Sequence, residues 1–77
     1  QIEMTYKEFE ILKFFLQNKG RSVSRDELLD KVWGYEIYPT SRTIDNHIVK
    51  LRKKIEQNPI NPRHILTVYG IGYKYID

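Results

Sequence analysis

The chain has no cysteine, one tryptophan, one methionine, two histidines and three prolines among its 77 residues. Without cysteine, neither a disulfide framework nor a thiolate metal site can support the fold, which suits a reducing cytosol. No apolar run approaches the roughly 18 residues that span a bilayer. The first residues, QIEMTYKEF, lack the form of a signal peptide, so the chain is expected to be soluble. A chain this short buries only roughly 60% of the surface that its unfolded form exposes. One compact core is the most it can hold, so residues 1–77 are read as one domain.

The scarcity of histidine also limits catalysis. Asp45 lies two residues from His47, a spacing that turns the side chains apart on a helix. Neither His47 nor His64 has a metal-ligand neighbour at helical spacing, and Gly70-Ile71-Gly72 lacks the third glycine and following helix of a dinucleotide loop. No enzymatic activity, metal or cofactor is expected. A structural or phosphate-contact role suits each histidine better.

What is present is unevenly distributed charge. Residues 1–40 carry six basic and seven acidic side chains, whereas residues 41–77 carry seven basic and three acidic ones. A basic half on a near-neutral scaffold is the electrostatic footprint of a polyanion binder, although a solvated face without function has the same composition. Placement along the chain has to decide between them.

Thr5-Tyr6-Lys7-Glu8 has the spacing of a capping box and predicts a helix running to about Asn18, with Phe9, Leu12, Phe15 and Leu16 as its buried stripe and Gly20 as a terminator. Ser24-Arg25-Asp26-Glu27 repeats the pattern. A second helix is expected from Ser24, with Leu28, Leu29 and Val32 facing inward, ending at Trp33-Gly34. Pro39 forbids continuous helix through the loop GYEIYPT. Thr40 or Ser41 then caps a third helix through SRTIDNHIVKLRKKIEQ, which Asn58-Pro59 and Asn61-Pro62 bring to a stop. Two β-prone runs close the chain, His64–Val68 and Tyr73–Ile76, joined through Tyr69-Gly70-Ile71-Gly72 as a hairpin.

The third helix carries the clearest period. At about 100° per residue, Ile44, Ile48, Leu51 and Ile55 fall within roughly 60° and form a core stripe. Arg42, Asn46, Lys50 and Lys53 fall within roughly 80° on the opposite side, with Val49 and Gln57 near its edges. Any soluble helix is polar opposite its apolar stripe, but a routine face more often mixes its signs in Glu–Lys pairs. Three cations and an amide suit the major groove, where Lys or Arg donates to guanine or phosphate and Asn bonds adenine in a bidentate manner. Asp45 and Glu56 lie to the side. Asp45 is expected to accept from Arg42 or from a backbone N–H near the helix start.

Two short helices, a loop, a third helix with a cationic face and a terminal hairpin form a winged helix-turn-helix of the α+β class. In this arrangement the hairpin meets the DNA backbone or minor groove beside the recognition helix, and glycines at its tip allow the main chain to approach closely.

The chain resembles the winged-helix effector domain of OmpR/PhoB-type response regulators over nearly its whole length. MTYKEFEILKFF is similar to the first helix of that family, GRSVSRDELLDKVWG to its strand and second helix, SRTIDNHIVKLRKKIE to its recognition helix and ILTVYGIGYKY to its wing. The resemblance implies phosphate contacts by Arg42, His47 and Arg52 and base reading by Asn46 and Lys50. The expected DNA-contact set is Arg42, Thr43, Asn46, His47, Lys50, Arg52, Lys53, Thr67, Tyr69 and Lys74. It also implies that the loop from Gly34 to Thr40, with Tyr35, Glu36, Ile37 and Tyr38, touches RNA polymerase. Further implied are tandem promoter repeats, a separate receiver domain phosphorylated on aspartate by a cognate histidine kinase, and a bacterial cytoplasmic setting without membrane association. Tyr69 stands where the family often has an arginine reaching into the minor groove; a tyrosine can bond phosphate through its hydroxyl or pack on sugar. The family also has an antiparallel sheet before its first helix, and the chain begins at what resembles the end of it, so a fragment lacking that sheet and the receiver domain is expected. A winged-helix protein-interaction module is the competing reading, supported by the aromatic loop and by Tyr69. RNA binding is less favoured, since the stacking aromatics of an RNA-reading sheet are not evident.

Overall fold

The computed structural model describes residues 3–34 and 41–77. Helix α1 (Tyr6–Gln17) begins where the capping box places it. The Thr5 hydroxyl accepts from the Glu8 amide at 3.2 Å, and the Glu8 carboxylate accepts from the Thr5 amide at 2.8 Å. Its buried side chains are Glu8, Ile11 and Phe15. This corrects the expected stripe, since Phe9 and Leu16 are 54% and 45% exposed and Leu12 is only partly buried. The helix is apolar around more than one side. Two rows of positions therefore fit the 3.6-residue period, and the core takes the row that includes Ile11.

Ser22–Ser24 form a short strand, β1. Helix α2 (Arg25–Leu28) follows at once and runs into a π-helical turn over Leu29–Trp33. The Ser24 hydroxyl accepts from the Glu27 amide at 3.0 Å, as a cap should. The second half of the expected capping box is not made, because Glu27 takes Arg21 instead, at 2.7 and 3.1 Å. Leu28 and Trp33 are buried, with Leu29 and Val32 packed partly against them. Gly34, at φ 60°, donates to the Leu29 carbonyl and ends the turn.

Helix α3 (Ser41–Ile55) turns Ile44, Ile48 and Leu51 fully inward, with Ile55 partly buried beside them. Each buried side chain of this size contributes about 1.5–3 kcal/mol relative to exposure. Asn58 then folds the chain back, its side-chain oxygen accepting from the Ile60 amide and its carbonyl from the Asn61 amide. Strands β2 (Ile65–Val68) and β3 (Gly72–Tyr75) form the hairpin. The sheet is antiparallel in the order β1-β3-β2, so the last strand occupies the middle.

That order explains one of the two glycines at the hairpin tip. Gly72 pairs with Ser24, and a Cβ at Gly72 would strike the Val23 carbonyl and approach the Ser24 Cα at 3.0 Å and the Arg25 amide at 3.2 Å. All three atoms belong to backbone. Gly70 is different: open space surrounds it, but its φ is 80° and the Ile71 amide donates to the Val68 carbonyl at 3.0 Å. Gly70 is thus the third residue of a four-residue turn, where a positive φ is required. The close approach expected of Gly72 is to β1, within the sheet.

Two buried carboxylates fasten the helices. Glu8 accepts from the Lys54 ammonium at 2.6 Å, linking α1 to α3. Glu56 accepts from the amides of Arg63, His64 and Ile65 at 2.8–3.3 Å, joining the end of α3 to the start of β2. Burial pushes both carboxyls up, but hydrogen bonds prevail and leave both below the usual carboxylate range: those from Lys54 and Thr5 for Glu8, and those from the three amides for Glu56. A carboxyl depressed in the folded state stabilises the fold fully above its unfolded pKa, and that contribution disappears as pH falls through the folded value.

The expected result for Glu56→Gln is a loss of about 1.5–3 kcal/mol near neutral pH, the worth of charge-assisted hydrogen bonds. Urea titrations at successive pH values should show the gap from the parent narrowing below about pH 4; a gap independent of pH would contradict the role given to the Glu56 charge. Gly72→Ala should cost roughly 1–3 kcal/mol or more, as overpacking against rigid neighbours does. An unchanged urea midpoint would mean that β1 can move away from β3 freely.

Candidate nucleic-acid interface

The outer side of α3 is built by the anchoring of its inner side. With Ile44, Ile48 and Leu51 buried, Arg42, Asn46, Lys50 and Lys53 are all exposed, and Val49 is half-exposed among them. The first turn of α3 contains no acidic residue, and Arg52, Lys53 and Lys54 lie in its last turn. Lys54 turns away to Glu8. What remains outward is a strip of cations and one amide, a set of groups able to donate to phosphates and base edges.

Along its flank α3 meets the sheet in a polar seam. The Asp45 Oδ1 accepts from the Tyr73 hydroxyl at 2.6 Å and from the Arg25 Nε at 2.8 Å. Asp45 therefore does not take the Arg42 side chain or a helix-start amide as its main partner; the sheet supplies a hydroxyl and α2 a guanidinium. Burial raises its carboxyl, but the bonds from Tyr73 and Arg25 and the charge of Arg25 bring it below the ordinary range. Burial and Asp45 together push the Tyr73 phenol up, and the bond to Asp45 holds Arg25 more firmly protonated. The guanidinium carbons of Arg25 and Arg52 lie 5.3 and 5.5 Å from the centre of the Tyr73 ring. Arg52 also donates to the Ile65 carbonyl at 2.9 and 3.1 Å and to the Thr67 hydroxyl at 3.0 Å. Three of its donors thus tie helix to wing, which the helical wheel alone does not reveal.

At the opposite flank, His47 stands edge-on to Trp33, with ring centres 5.1 Å apart, and its Nδ1 donates to the Thr43 carbonyl at 2.9 Å. Only Nε2 of His47 is left for an outside partner. The Lys7 ammonium lies 5.1 Å from the centre of the Trp33 ring and donates to the Val32 carbonyl. His64 serves the scaffold: its Nδ1 donates to the Ile76 carbonyl and its ring stacks on Tyr75.

In the wing, Tyr69 is 91% exposed at the turn. Thr67 pairs with Tyr73 and Lys74 with Leu66. Side chains of paired residues share a sheet face and neighbours along a strand alternate, so Thr67 lies on the face of Tyr73 and Lys74 on the other. Tyr73 reaches α3 through Asp45, which leaves Lys74 on the face away from the helix. The pleat thus sets Lys74 on the sheet face opposite that of Thr67. Sequence reasoning missed Arg25 and Tyr73: the first was legible only as a residue after a helix cap, the second only as an alternating aromatic. Tyr35, Glu36, Ile37 and Tyr38, expected to form a contact loop, lie outside the described residues. Among the described residues no group of three or more His, Cys, Asp or Glu could hold a metal ion, and no helix is long and apolar enough to cross a membrane.

Comparison with known proteins agrees with this geometry. The family model described as "Transcriptional regulatory protein, C terminal" matches residues 1–75. The sensory transduction protein RegX3 of Mycolicibacterium smegmatis is 44% identical over 73 residues, covering 95% of this chain and 32% of RegX3. The chain thus spans about a third of the length of that relative. The crystal structure of DrrB, an OmpR/PhoB homologue from Thermotoga maritima, superposes with a TM-score of 0.90 at 41% identity, over 99% of this chain and 34% of DrrB. The DNA-binding domain of Klebsiella pneumoniae RstA, solved in complex with the RstA box, gives a TM-score of 0.84 at 29% identity, over 97% of this chain and 74% of that one. With both the fold and the sequence matching, the chain belongs to the OmpR/PhoB-type family of C-terminal domains of transcriptional regulatory proteins.

Proposed function

We propose that this domain binds promoter DNA sequence-specifically as the output domain of a two-component response regulator. In this reading α3 enters the major groove and the hairpin meets the adjacent backbone or minor groove. One observation carries it: Arg42, Asn46, Lys50 and Lys53 all stand exposed on a helix whose opposite stripe buries Ile44, Ile48 and Leu51 fully and Ile55 in part. RegX3 is named a sensory transduction protein and RstA was solved with DNA, which supports the same use here.

Within that strip, Asn46 has the side chain suited to bidentate contact with adenine, and Lys50 can donate to guanine or phosphate. Arg42, Thr43 and Lys53 would contact the backbone, joined by His47 through Nε2. Arg52 retains Nη1 for a phosphate beside Thr67, whose hydroxyl it holds. Tyr69 would lie against phosphate or sugar. In the same reading the whole regulator would bind tandem promoter repeats, carry a receiver domain phosphorylated by a histidine kinase, and touch RNA polymerase through the loop from Gly34 to Thr40. A cytoplasmic location goes with that assignment.

Selection of duplexes from a random library, followed by affinity measurements across a salt series, tests the reading. An enriched motif with a steep salt dependence is expected. Lys50→Ala should lower the slope of log affinity against log salt by about one for a lost phosphate contact. Asn46→Ala should relax preference at one position of the motif, at a cost of roughly 1–3 kcal/mol. If Lys50→Ala binds like the parent at every salt concentration, the outer face of α3 is not the DNA surface. Without duplex binding by the parent, the interaction-module reading takes over.

A further inference from the structure

Arg25 lies outside the strip on α3, yet it is fastened to that helix. Its Nε donates to Asp45, the neighbour of Asn46, and its guanidinium lies over the Tyr73 ring. The bond to Asp45 uses Nε alone, and although the Tyr73 hydroxyl lies close enough to interact with the guanidinium, no well-formed hydrogen bond from Nη1 or Nη2 to a described residue is made. The side chain is 32% exposed, so it is accessible from solvent.

We propose that Arg25 is a DNA-backbone contact whose terminal nitrogens grip a phosphate at the edge of the groove that α3 occupies. The assignment rests on the DNA-binding reading given above. A guanidinium offers five donors in a planar fork that suits the two free oxygens of a phosphodiester. Side-on attachment to one carboxylate oxygen leaves the outer fork available, whereas an end-on pair would have consumed it. The bond to Asp45 and the place near the Tyr73 ring restrain the side chain, so part of the conformational entropy that a long cation usually loses on binding is already spent in folding. Arg25 also neutralises Asp45, the acidic group beside the reading strip, and so removes its repulsion from the same phosphates. As a brace alone the pair would do little, because ion pairs this exposed add little to stability. Arg52 is the counterpart across the seam, but with Nε and Nη2 bound to Ile65 and Thr67 it keeps one free amine where Arg25 keeps two.

The test compares the parent chain, Arg25→Gln and Asp45→Asn on the selected duplex by fluorescence anisotropy over a salt series. The same duplex is then made with a neutral methylphosphonate at each backbone position in turn. Arg25→Gln should bind about tenfold more weakly at low salt, the scale of one charge-assisted hydrogen bond, and its salt slope should fall by about one. One methylphosphonate that weakens the parent should leave Arg25→Gln unaffected, while Asp45→Asn, which keeps the cation, should still respond at that position. Because each protein is compared with itself across duplexes, partial loss of folded protein scales all values alike and cannot imitate this pattern. An unchanged slope in Arg25→Gln, or the same methylphosphonate profile as the parent, would overturn the assignment while leaving DNA binding intact. Absence of salt-dependent duplex binding by the parent would overturn the DNA-binding reading and Arg25 with it.

Discussion

Helix α3 is fixed by two kinds of contact that constrain different motions. The buried stripe of Ile44, Ile48 and Leu51 holds the helix against the core but, being apolar and non-directional, sets its height better than its rotation. Rotation is set by the Asp45 carboxylate, which meets the Tyr73 hydroxyl at 2.6 Å from a strand held in the middle of the sheet. Hydrogen bonds are directional, so turning α3 by one side-chain width would break this one and the pair from Arg52 to the Ile65 carbonyl together. The angle at which Asn46 and Lys50 leave the surface therefore depends on a bond made on the other flank of the helix.

The sheet can act as this reference because β3 is clamped on both edges. On one side its pairing with β1 depends on the missing side chain of Gly72; on the other, β2 starts where Glu56 collects three backbone amides. Those amides precede and begin the strand and have no ladder partner of their own to rely on. A buried carboxylate is costly unless its lone pairs are filled, and here they are. Glu8 solves the same problem with one ammonium and one amide, so its capping box and its link to α3 are a single arrangement. The carboxylates that hold the framework are thus withdrawn from the surface, which leaves the outer side of α3 cationic.

How much of this was legible in the sequence depended on whether a local period or a long-range contact decided the matter. The α3 stripe was readable because Ile44, Ile48 and Leu51 leave no competing row. The α1 stripe was not, because Ile11, Leu12, Phe14, Phe15 and Leu16 offer two rows and only tertiary packing chooses between them. The Thr5 cap was visible as a four-residue pattern, and the same pattern misled at Glu27, whose carboxylate found Arg21 nearer to hand. Both tip glycines stood out, but their separate tasks did not: a positive φ is a local requirement, whereas the contact of Gly72 with β1 spans half the chain. Exposure of the α3 strip followed from periodicity alone. The roles of Arg25, Arg52 and Tyr73 could not, since residues at positions 25, 45, 52 and 73 meet only after folding.

The division of labour between lysine and arginine follows from the same geometry. Where the structure needs a cation in one orientation, at the Tyr73 ring and the Ile65 carbonyl, it uses arginine, whose planar fork can stack and donate at once. On the outer strip two of the three cations are lysine, compact charges on flexible stems that attract phosphate without defining a register. The phosphate contacts of such charges supply affinity and salt dependence but carry no sequence information. Discrimination then has to come from groups held at a defined angle, and Asn46 is one because it follows Asp45 on the helix that Tyr73 orients. The polar seam, rather than the number of surface cations, is what would turn a basic helix into one that can read a base.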